Sequence, residues 1–152
     1  GDMGALGLFV NRPLNLKLKD LFNSMDITKN SKAEGNVYMG GPVNPGAIFI
    51  LHSSEKKWDS TMEVSKDISL STSEDAIKSI ANSEGPKDYL MTLGYSGWGV
   101  NQLESELIEN AWVVIPENKD VIFNPDPRRQ MEELSKFVGY DVRMISPDFG
   151  NA

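Results

Sequence analysis

A chain of 152 residues, 39% of them hydrophobic and 24% charged, is long enough to bury roughly 68–70% of its unfolded surface as a single domain. It contains no cysteine, which excludes disulfides, thiolate catalysis and cysteine-built zinc or iron–sulfur sites. Fifteen Lys and Arg against 22 Asp and Glu leave a net charge of −7, a field that opposes the phosphate contacts on which direct nucleic-acid binding depends.

Apolar residues alternate at Leu6, Leu8 and Val10, which predicts a strand over 5–11. Asn11-Arg12-Pro13 ends it, because Pro13 pushes Arg12 into an extended conformation. Leu18, Leu21, Phe22 and Met25 recur at helical spacing and predict a short amphipathic helix over 16–25, followed by a polar surface loop over 26–36. Residues 37–53, VYMGGPVNPGAIFILHS, predict two strands joined at Gly40-Gly41-Pro42 as a hairpin or a corner. Two short strands follow at 61–64 and 67–71. A helix over 72–86 has Thr72 or Ser73 as its cap, acids in its first turn and Gly85-Pro86 as its stop.

A strand at 88–93 runs into GYSGWG at 94–99, and a helix over 101–111 opens with Asn101 and Glu104 as a capping box. Residues 112–115 and 120–123 read as buried strands. The last helix, 126–139, has Asp126 as cap, Pro127 in first position and Gly139 just past its end; the tail from Tyr140 begins as a strand. Strands clustered in the middle and alternating with helices later indicate an α/β chain with a mixed sheet and helices packed on it. No apolar run approaches the roughly 18 residues that a membrane span requires, and a cytoplasmic protein is expected.

The stretch GYSGWG invites three readings. A phosphate loop needs backbone N–H groups at a helix N-terminus, but here the glycines fall in the order G-x-x-G-x-G without the Lys-Ser/Thr of a P-loop, and Glu104 and Glu106 place negative charge where a phosphate would sit. A nucleophile turn would use Ser96, yet the following glycine comes one residue early and His52 is the one histidine available as a base. The third reading is a tight corner, in which Gly94, Gly97 and Gly99 permit positive φ and close approach while Trp98 drives its ring into the core. No metal motif occurs, and no metal or cofactor is expected.

The segments GALGLFVNRP, GGPV, FILH, GYSGWGVNQLESELIENAW and KFVGYDVRMIS, in this order, resemble the YqgE/AlgH family of bacterial proteins along essentially the whole chain. The resemblance implies one compact α/β domain, residues 1–152, with a twisted, partly barrel-like mixed sheet packed by helices. It also implies a strand segment upstream of GALG, so that Gly1 is not expected to be the native start. Family members often carry alanine where Ser96 stands, and they are often labelled transcriptional regulators. No catalytic residue is carried over.

These readings make the chain a regulatory or binding module that acts through a protein or small-molecule partner, as a monomer or weak dimer and without gripping DNA. The alternative is an enzyme with a pocket near Arg12, His52 and Tyr95. The candidate binding surface comprises Asn11, Arg12, Gly40, Gly41, His52, Tyr95, Ser96 and Trp98. It requires the segments 11–13, 40–42 and 94–99 to share one rim, with Arg12 as a cation and Tyr95 as a flat apolar wall; otherwise they are unrelated turns.

Overall fold

Strands rich in β-branched and aromatic residues organise the molecule, and helices fill the gaps between them. The computed structural model describes residues 4–27 and 31–138. In chain order these give β1 (Ala5–Gly7), β2 (Pro13–Lys17), α1 (Leu18–Ser24), β3 (Asn36–Met39), β4 (Val43–Ser53), β5 (Met62–Glu63), β6 (Ile68–Ser71), α2 (Glu74–Ala81), β7 (Tyr89–Trp98), α3 (Gln102–Ile108), α4 (Lys119–Ile122) and α5 (Pro127–Val138).

One mixed sheet of seven strands runs β2-β3-β7-β4-β6-β5, and β1 joins it on β7. The central strand is β7. It pairs in parallel with β3 (Tyr38 opposite Thr92) and antiparallel with β4 (Leu51 opposite Leu90), while its last residues take β1 (Ala5 opposite Trp98). The sheet is open, with β2 and β5 at its ends, and does not close into a barrel.

Successive residues of a strand face opposite sides, and here both sides are covered. Val37, Ile50 and Met91 point to one core, shared with Leu18 and Phe22 of α1 and Ala76, Ile77, Ile80 and Ala81 of α2. Their neighbours Tyr38, Leu51 and Leu90 point to the other, where Val10, Ile122 and Phe123 close over them. A sheet buried on both faces explains why its strands read as nearly continuous apolar runs.

Several elements differ from the expectation, each for a physical reason. The first strand stops at Gly7, and Leu16 belongs to β2 rather than to the helix that follows. β3 and β4 form a corner: they never pair with each other, because β7 lies between them. GYSGW is itself strand, held by β1 on one side and Val43 on the other.

Residues 112–115 form no strand. Residues 119–122 form a helix instead of a strand, since Asn118 Oδ1 accepts the N–H groups of Asp120 and Val121 (3.0 and 3.2 Å) and nucleates the turn. The capping box at α3 is absent. Asn101 has φ of 62°, and Gln102 Oε1 accepts the Gly99 N–H at 2.9 Å in its place. Asp126 does cap α5, accepting the Arg128 N–H at 2.9 Å. Gly139 and the tail strand lie outside the described residues.

Candidate functional site

The three segments expected to share a rim do meet, but as a crossing of backbones. The Arg12 carbonyl accepts the Met39 N–H (2.8 Å), Gly40 accepts from Phe9 (2.8 Å), and Gly40 donates to the Leu93 carbonyl (2.8 Å). The Gly40-Gly41 corner then passes so close to β7 that a Cβ on Gly41 would lie 2.1 Å from the Tyr95 carbonyl carbon, while Gly94 takes φ of +77° to make room. Gly40, Gly41 and Ser96 are buried, and Tyr95 is half-buried edge-on to Phe49 (5.8 Å). Trp98 is half-buried rather than driven into the core; its ring meets Trp112 at 5.7 Å, and its Nε1 has no partner. Arg12 and Asn11 are exposed, and the Arg12 guanidinium stacks 4.1 Å from the centre of the Phe9 ring.

His52 stands apart. Val43 pairs with Tyr95, whereas His52 pairs with Tyr89, and six residues along β7 separate these positions by roughly 20 Å. His52 and Ser71 are both 0% exposed. The Ser53 carbonyl can only accept, so Nδ1 donates to it (2.8 Å). Nε2 lies 2.7 Å from Ser71 Oγ. Thr61 Oγ1 in turn lies 2.8 Å from Ser71 Oγ and accepts the Trp58 N–H at 2.7 Å. Every polar atom of this chain has a partner, which is the arrangement of a structural histidine. A base needs to reach a substrate proton, and His52 does not reach the surface. Nearby, burial works to raise the Glu55 carboxyl, yet the Lys87 N–H, its own N–H and the Ser53 hydroxyl, with a smaller pull from His52, hold it below its ordinary value.

Space for a ligand opens on the other side of the sheet. A cleft of about 460 Å³ lies between residues 8–11, the segment 115–118, α4 and α5, and this size falls in the range of small-molecule sites, roughly 300–1,000 Å³. Leu8, Phe9, Val10, Ile115, Pro116, Val121, Ile122 and Leu134 make its wall apolar; Asn11, Glu117, Asn118 and Gln130 add polarity. Of the candidate residues, Asn11 lines it and Arg12 borders it through the stacked Phe9.

Gln130 holds the cleft together. It is 2% exposed, and its Nε2 lies 3.2, 2.9 and 3.4 Å from the carbonyls of Val10, Val121 and Ile122. One amide thus ties the chain after β1 to α4. Its Oε1 is buried without a hydrogen-bond partner. Gln130 is not among the residues that the sequence singles out; its signal is a place four residues before Leu134, on one side of α5.

A second cavity, about 480 Å³, lies by Leu18, Glu34, Tyr38, Lys87 and Tyr89. Burial raises the hydroxyl pKa of both tyrosines. Among the described residues no group of three or more His, Asp or Glu could hold a metal ion, and no helix is long and apolar enough to cross a membrane.

The AlgH-like family model matches residues 1–143. A UPF0301 protein of Thioalkalivibrio sulfidiphilus is 41% identical over 152 residues, covering 99% of this chain and 82% of the relative. One of Nitrosospira multiformis is 39% identical over 153 residues, at 99% and 82% coverage. Among solved structures, the AlgH protein of Pseudomonas aeruginosa superposes with a TM-score of 0.77 at 31% identity, covering all of this chain and 82% of that one. A Corynebacterium diphtheriae protein shares the fold at TM-score 0.68 and 14% identity, over 90% of this chain and 72% of that one. The chain belongs to the AlgH-like family.

Proposed function

We propose that this AlgH-like chain is a binding module of regulatory type, cytoplasmic, that takes a small-molecule or protein partner in the cleft between residues 8–11 and the α4–α5 pair. The supporting observation is a mostly apolar wall lined in part by Gln130, whose buried Oε1 has no partner. Apolar lining supplies non-directional binding, and a few polar groups set orientation. Regulation through such a partner agrees with the regulator label of the family without requiring a DNA-reading surface, which a net charge of −7 disfavours. The enzymatic alternative gains nothing from the geometry, since His52 is sealed on a distant part of β4 and does not share a surface with Arg12 and Tyr95.

The test is an amide-resolved NMR titration with a mixture of neutral aromatic fragments. Shifts are expected to concentrate at residues 8–11, 115–118, Gln130 and Leu134, and Leu134→Trp, which fills the cleft, should abolish them. Shifts centred elsewhere, or unchanged in the Trp variant, would remove the cleft from consideration.

A further inference from the structure

The amide of Gln130 has one fixed orientation. Three backbone carbonyls face its nitrogen, and since carbonyls only accept, turning the amide over would set oxygen against oxygen. Its Oε1 is therefore left as an acceptor, on a residue 2% exposed and with no partner. A buried acceptor is costly to leave unmade and gains most from a donor that arrives shielded from water. Among the described lining residues Glu117 is the one charged side chain; the Arg12 guanidinium is at the border, exposed and stacked on Phe9. An anion seated against this mostly apolar wall would lose its hydration, with Glu117 in the same lining.

Resting on the cleft as the binding seat, we infer that its ligand is an electrically neutral, largely apolar molecule whose N–H or O–H group donates to Gln130 Oε1. The apolar body packs on Phe9, Val10, Ile122 and Leu134, and the donor end points to the floor. A carboxylate or phosphate ligand is disfavoured by the same geometry.

A matched set of probes separates these statements in the intact protein. Indole and benzofuran have nearly the same shape, and only indole carries an N–H; indole-3-acetate adds a negative charge. By NMR titration indole is expected to bind the cleft about tenfold more tightly than benzofuran and at least about tenfold more tightly than indole-3-acetate. In Gln130→Met the first difference should vanish; if that variant does not fold, the comparison in the unaltered chain decides. Indole and benzofuran binding the cleft equally, or benzofuran binding better, would overturn the donor assignment while leaving the cleft as a seat. Indole-3-acetate binding as well as indole would overturn the requirement for neutrality. Absence of binding by all three would overturn this inference and the proposed function together.

Discussion

Single buried side chains with many partners hold this molecule's two ends together. His52 links β4 to β6 through Ser71 and closes on the Ser53 carbonyl, so its removal takes the side-chain donor from that carbonyl and leaves Ser71 Oγ with Thr61 alone. His52→Leu is expected to lower stability by roughly 1–3 kcal/mol in urea denaturation, the cost of breaking two buried hydrogen bonds. A change under about 1 kcal/mol would mean that the network contributes little. Gln130 plays the matching role across the other face, joining Val10 to α4, but with an acceptor left over. That difference separates a residue which only stabilises from one which also offers something to a ligand.

At the scale of elements, the governing feature is the crossing of the β3–β4 corner over β7. The corner has glycine at 40 and 41 because backbone lies against backbone there, not because a ligand approaches. Gly41→Ala would put a methyl carbon into the Tyr95 peptide, and with no side chain available to yield it is expected to cost about 3 kcal/mol or more. Gly46→Ala is the control, since the nearest atom is Asn44 Oδ1 at 4.0 Å; it should stay within about 0.5 kcal/mol. Thermal melts of the two variants side by side check this, and equal melting temperatures would contradict the crossing. The stretch Asp120-Val121-Ile122-Phe123 teaches a related lesson: a short run with three apolar residues suits a buried strand or a helical turn alike, and the Asn118 cap with burial of Val121 decides for helix.

For the whole molecule, the net charge of −7 sets what can approach. Binding of a duplex DNA probe at about 0.15 M salt is expected to be weaker than the 10⁻⁴–10⁻⁶ M of ordinary non-specific DNA binders; micromolar binding in a fluorescence-polarisation titration would refute this. The sequence by itself determined the class, the family resemblance, the helices α2 and α5 and the strand cores of β4, β6 and β7, because periodicity and caps act over a few residues and can be read locally. It did not determine which strands are neighbours: β7 inserts between β3 and β4 although 35 residues separate it from the end of β4 and 49 from the end of β3. Gly40, Gly41 and Gly94 therefore read as turn residues and proved to be a packed junction. The cleft was hidden for the same reason. Its floor is a contact between Val10 and Gln130, 120 residues apart, and such a pairing leaves no periodic trace in a single chain; only the folded backbone brings the amide and the carbonyl together.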